Sequence, residues 1–169
     1  MNAGDGLYPL AEEVGRFLKA RGWMLASAES CTGGWVGEAV TAVSGSSAWY
    51  DRGFITYANE AKQEMLGVSP ETLAAHGAVS EATVREMAVG ALQRSRAQVA
   101  VAVSGIAGPT GGTAEKPVGL VWFAWAFAGG QVTAERHVFA GDRREVRRQA
   151  VEVALRGVLR EGEAALCAV

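Results

Sequence analysis

Residues 44–62, SGSSAWYDRGFITYANEAK, bring three kinds of reactive side chain into one short stretch. Ser44, Ser46 and Ser47 lie in a small, flexible run around Gly45. The β-branched and aromatic residues 54–57 predict a strand that ends on Tyr57. Asn59 can cap a helix over 60–66, closed by Gly67, which puts Lys62 in its first turn. Loop serine, strand-end phenol and helix-start amine are the inventory of a serine nucleophile with an amine base and a group to pass or steady the proton. A cation in a first turn meets the positive end of the helix dipole, and the same field favours the neutral amine that can act as a base. A solvated surface lysine is the competing reading.

The elements around this stretch must position it. Leu7, Leu10, Ala11, Val14, Phe17 and Leu18 share one helical face, ended by Gly22. Residues 23–28 predict a strand that runs into Ser30, Cys31, Thr32, Gly33 and Gly34, and Trp35, Val36, Ala39, Val40 and Val43 give a second helical face. Strand, glycine-rich turn and helix follow in the order that lets backbone N–H groups receive an anion. The spacing matches neither a Walker A loop nor a dinucleotide fingerprint, and a plain tight turn is the alternative. Ser69 before Pro70, and Ser80, are helix caps, the latter for a helix burying Val84, Met87, Ala88, Ala91 and Leu92. Residues 98–103 predict a fully buried strand that delivers Ser104, Gly105 and Gly108 into a long glycine-rich loop, a place where α/β proteins bind ligands. Residues 118–127 and 131–139 predict a hairpin turned by Gly129-Gly130. Asp142 caps a last helix, with Glu145 as capping-box partner and Val146, Ala150, Val153, Ala154 and Val158 as its buried stripe.

Arg143, Arg144, Arg147 and Arg148 crowd the start of that last helix, where they oppose its dipole. A bound phosphate would reconcile them, by accepting helix N–H groups and guanidinium forks together. Arg143 and Arg147 share the face best placed for it, while Arg144 and Arg148 point elsewhere. A solvated or ion-paired basic face is the alternative.

Composition sets the outer limits. At 169 residues the chain suits one domain, 1–169, and the order of elements predicts a three-layer α/β fold with a mixed β-sheet covered by helices. The net charge of −2 gives no basic footprint for nucleic acid or an anionic membrane. The longest apolar run, 118–128, is too short to span a bilayer, and the first residues do not form a signal peptide. Cys31 and Cys167 have no metal spacing, and His76 and His137 are the only histidines, so no metal centre and no cofactor is expected. Free thiols without an export signal point to the cytoplasm.

Several blocks, in order, resemble the CinA C-terminal-domain family: 28–34, 45–47 with 57–62, 76–80, 104–109 and 116–119. The resemblance covers nearly the whole chain. It implies hydrolysis of the carboxamide of nicotinamide mononucleotide (NMN) to nicotinate mononucleotide and ammonia, without a metal. It also implies that Ser47 is the nucleophile, Lys62 the base and Tyr57 its assistant. Some family members carry a further N-terminal domain, absent from this sequence, and an activity tied to that domain is expected to be absent too. The Ser30–Gly34 turn, the Gly105–Gly108 loop and an arginine of the last helix are then the candidates for ribose and phosphate. A rival within the same chemistry makes Ser30 or Cys31 the nucleophile, each sitting at a strand-to-helix turn. A rival of another class is a nucleotide-binding regulatory module without catalysis. Trp122, Phe123, Trp125 and Phe127 crowd one strand, and together with the family's tendency to dimerise they suggest a homodimer.

Overall fold

The computed structural model describes residues 5–168. Its helices are α1 (Leu7–Arg21), α2 (Trp35–Thr41), α3 (Asn59–Leu66), α4 (Pro70–His76), α5 (Glu81–Gln93) and α6 (Arg143–Cys167). Its strands are β1 (Leu25–Glu29), β2 (Tyr50–Ile55), β3 (Val99–Gly105), β4 (Leu120–Phe127) and β5 (Val132–Val138). They form one mixed sheet in the order β2-β1-β3-β4-β5, parallel across β2, β1 and β3 and antiparallel from β3 to β5. This is the three-layer α/β arrangement that the order of elements predicted.

The two faces of the sheet differ in bulk, and that difference builds the site. Leu25, Val99, Val101, Val103, Phe123 and Trp125 point at α1, α2 and α6. Ala26, Ala28, Ala100, Ala102, Ala124 and Ala126 point the other way, at α3, α4 and α5. Side chains alternate along a strand, so each strand contributes one large and one small face. The alanine face lets α5 lie close. Gly90 on α5 continues this economy toward α3, because a Cβ there would overlap the Leu66 carbonyl oxygen.

Several local signals behave as expected. Gly22 and Gly67 close α1 and α3 with positive φ, and the hydroxyls of Ser69 and Ser80 accept from the N–H groups of Thr72 and Thr83. Others differ. Asn59 is the first helical residue, and Ala58 stands at the N-cap with no side-chain bond. Asp142 does cap α6 through the Glu145 N–H, but the Glu145 carboxylate pairs with Arg148 instead of reaching back. The expected strand over 54–57 runs earlier, because β2 pairs with β1 from Tyr50 onward. The aromatic residues of β4 are largely covered: Phe123, Trp125 and Phe127 lie on the α1–α6 side and are at most 4% exposed, and Trp122, on the other face, is partly buried against the alanine-face cluster. The physical ground given for a dimer therefore disappears.

Candidate active site

The alternation along β1 and β3 decides what reaches the carboxyl ends of the parallel strands. Ser30 follows Ala26 and Ala28 on the small face, and Ser104 follows Ala100 and Ala102. Both hydroxyls thus face the layer that contains α3. Ser30 is fixed there by its N–H, which donates to the Val103 carbonyl at 3.0 Å, while the Thr56 N–H donates to the Glu29 carbonyl at 2.8 Å. The Ser104 hydroxyl donates to the Ala78 carbonyl at 2.8 Å and so ties the α4–α5 connection to the strand end.

Lys62 enters from the first turn of α3. Its Nζ lies 3.0 Å from Ser30 Oγ, 2.7 Å from the Thr56 carbonyl oxygen and 3.1 Å from the Tyr57 carbonyl oxygen. The residue is 1% exposed and Ser30 is 8% exposed. Burial pulls the Lys62 pKa below its ordinary value. A neutral amine has two hydrogens and one lone pair. The two carbonyls take the hydrogens, which leaves the lone pair facing the Ser30 hydroxyl. In that state Ser30 donates to Lys62, the arrangement a general base needs.

Ser47 is not part of this group. It is exposed, in a 3-10 turn (Ser46–Ala48) that precedes β2. β1 and β2 run parallel with Leu25 opposite Tyr50 and Glu29 opposite Ile55, so Ser47 lies beyond the amino ends of strands whose carboxyl ends carry Ser30 and Lys62. Five residues of strand, about 16 Å, separate the two ends. The expectation that Ser47 and Lys62 meet is thus corrected. Closeness in sequence does not bring them together, because the strand between them carries the chain to the opposite end of the sheet. The turn at Ser47 instead seats Trp49, 3% exposed, against Gly15 of α1.

Ser30, Cys31, Tyr57, Lys62, Ser104, Gly105 and Arg143 line one cavity of about 190 Å³. Ala78, Val79 and Ala107 complete it. The Tyr57 side chain is 65% exposed at the mouth, and its hydroxyl accepts from Arg143 Nη2 at 3.4 Å. Lys62 bonds the Tyr57 backbone carbonyl, while the Tyr57 phenol bonds Arg143. Arg143 Nη1 donates to the Gly108 carbonyl at 2.9 Å, which links the long loop to α6. Cys31 adjoins Ser30, but burial pushes its thiol up to about 12, far from the thiolate that a cysteine nucleophile needs.

Thr32, Gly33, Gly34 and Arg147 fall elsewhere. They border a larger cavity of about 1210 Å³ between α1, α2 and α6, which Lys62 and Ser30 do not line. Arg147 is engaged within the protein, donating from Nε to the Cys31 carbonyl at 3.0 Å and from Nη2 to the Thr32 carbonyl at 3.1 Å. It braces the turn after Ser30. The anion expected on that turn proves to be internal: the Gly34, Val36 and Gly37 N–H groups donate to the Glu29 carboxylate. Reading the sequence alone assigns Glu29 no role. An acidic side chain one residue before a glycine-rich turn was the available signal. Arg148 forms ion pairs with Glu145 and Glu152, and Arg144 lies over the Trp35 ring.

The fold and the pocket define an α/β protein with a small cavity at the carboxyl ends of its parallel strands, lined by a buried serine–lysine pair. The chain belongs to the CinA C-terminal domain family, whose model matches residues 7–161. A nicotinamide-nucleotide amidohydrolase PncC of Escherichia coli strain K12 is 60% identical over 149 residues, covering 88% of this chain and 90% of its own. A protein of the same name from Pseudomonas putida is 48% identical over 158 residues, covering 94% of this chain and 98% of its own. Among solved structures, the competence/damage inducible protein CihA from Agrobacterium tumefaciens matches with a TM-score of 0.91 at 48% identity, covering 95% of this chain and 97% of that one.

Proposed function

We propose that this protein hydrolyses the carboxamide of NMN to nicotinate mononucleotide and ammonia, with Ser30 as nucleophile and Lys62 as base. The observation that carries the reading is the buried 3.0 Å contact between Lys62 Nζ and Ser30 Oγ. The 60% identity to a protein named as a nicotinamide-nucleotide amidohydrolase supplies the substrate class.

Lys62 takes the Ser30 hydroxyl proton as Oγ attacks the carboxamide carbon, and backbone N–H groups of the turn after Ser30 or of the Gly105 loop hold the oxyanion. Lys62 returns the proton to the amide nitrogen. The C–N bond breaks, ammonia leaves and an ester to Ser30 remains. Water then gives a proton to Lys62 and attacks the ester, and Lys62 reprotonates Ser30 as nicotinate departs.

A cavity of about 190 Å³ suits a pyridine ring with its carboxamide better than a whole nucleotide. Ribose and phosphate then leave through the mouth, past the Tyr57 phenol and the Arg143 guanidinium. Arg143 is the phosphate ligand in this reading, and Tyr57 borders the sugar. A homodimer in the cytoplasm is part of the same proposal. Its structural support is the exposed pair Ile55 and Tyr57 at the carboxyl end of the edge strand β2, and a monomeric mass at micromolar concentration would remove it.

Ammonia release from NMN, measured for the wild type, Ser30→Ala and Ser47→Ala, tests the assignment. Release by the wild type and by Ser47→Ala but not by Ser30→Ala supports it. NMN binding without release by the wild type would favour a regulatory binding module.

A further inference from the structure

The Glu29 carboxylate takes no part in the chemistry above, yet it is 2% exposed in the middle of the fold. Its Oε1 accepts from the Thr32 hydroxyl at 2.6 Å, the Gly34 N–H at 3.2 Å and the Val36 N–H at 2.9 Å, and its Oε2 accepts from the Gly37 N–H at 3.1 Å. Gly34 reaches the start of α2 with φ of +105°, and no N-cap side chain serves that helix. Glu29 does the capping from the neighbouring strand. On the other face of the same strand end, the next residue, Ser30, meets Lys62.

We propose that Glu29 is the positioning residue of this site, clamping the turn over 30–37 so that Ser30 Oγ stays in line with Lys62 Nζ. The proposal rests on the reading of Ser30 as nucleophile. A buried carboxylate is costly unless fully hydrogen-bonded, and here four donors and the positive end of α2 offset the cost. Alternation along the strand makes the coupling direct: Glu29 points to the α2 side and Ser30 to the α3 side, so rotation of one peptide moves both. The clamp also occupies the N–H groups that a substrate phosphate could have used, which turns the phosphate toward Arg143. A misplacement of about 1 Å between reacting groups costs on the order of a hundredfold in rate.

Glu29→Gln is the test, because it is isosteric. Its amide oxygen can keep the three bonds of Oε1, while its NH2 opposes the Gly37 N–H. We expect kcat on NMN to fall by about tenfold to a hundredfold with KM within about threefold, and the acid limb of the pH profile to keep its midpoint. Amide hydrogen exchange at Gly34, Val36 and Gly37 should quicken, a readout that needs no turnover. A kcat within about threefold of wild type, a loss carried by KM, a shifted acid limb, or unchanged exchange would each overturn the positioning role. Ser30→Ala, assayed alongside, separates the two ideas. Turnover surviving that change overturns the nucleophile assignment, whereas wild-type kcat in Glu29→Gln with Ser30→Ala inactive overturns the positioning role alone.

Discussion

Lys62 Nζ and Ser30 Oγ lie 3.0 Å apart across a sequence separation of 32 residues, in a place where the lysine is 1% exposed. Desolvation works against the ammonium at this depth and pulls the Lys62 pKa below its ordinary value, while the two carbonyl acceptors hold the amine in place. The serine hydroxyl is the remaining neighbour, and its proton has one short path to follow.

Ser30→Ala should lower kcat on NMN by at least about a thousandfold, because Ser30 carries the hydroxyl bonded to Lys62, whereas the Ser104 hydroxyl is tied to the Ala78 carbonyl. Ser47→Ala should stay within about twofold of wild type, as an exposed change far from the pocket. Steady-state ammonia release gives both numbers. The opposite ranking would return the nucleophile to the amino end of the sheet.

The rate should rise with pH on a limb set by Lys62, with a midpoint below the ordinary lysine value of 10.5. The protonated amine cannot accept the serine proton, so activity is lost below that midpoint. Stability should follow the same sign. Between the lowered folded pKa and 10.5 the unfolded chain binds a proton that the folded chain does not, so stability rises with pH across that window. The raised Cys31 and Tyr50 pKa values act with the opposite sign in that range and are common to both proteins, so urea melts of wild type and Lys62→Met at several alkaline pH values should differ by the Lys62 slope, wild type gaining stability with pH relative to the variant.

Arg143→Ala should weaken NMN by about tenfold to a hundredfold in kcat/KM and leave nicotinamide riboside unaffected, since only the mononucleotide offers a phosphate to the freed fork. Arg147→Ala should lower kcat for both substrates alike, because its guanidinium holds the Cys31 and Thr32 carbonyls. Kinetics with the two substrates side by side distinguish a phosphate ligand from a brace.

Gly90→Ala should destabilise by about 1–3 kcal/mol, since the added methyl meets the rigid Leu66 carbonyl at the end of the helix that carries Lys62. For a chain of this size each kcal/mol lowers Tm by about 2–4 °C, which a thermal melt resolves. An unchanged Tm would mean that α3 shifts freely against α5, and Lys62 with it.

The amino-acid sequence by itself determined the element order, most of the helix caps and the family, because those depend on neighbours a few residues apart. Ser69 and Ser80 bond to N–H groups three residues on, and Gly67 needs only its own φ. It also held Lys62 and Ser30 as candidates, each for its position in a local turn. It could not show that they are partners, nor that Ser47 is remote from both. That depended on β1 and β2 lying parallel, which puts Ser47 at the amino ends of the strands and Lys62 at their carboxyl ends. Glu29 was equally out of reach: its role comes from α2 folding back over the strand so that three N–H groups converge on one carboxylate. Pairing direction and the return of a helix are set by burial of the whole core, and no short stretch of chain encodes them.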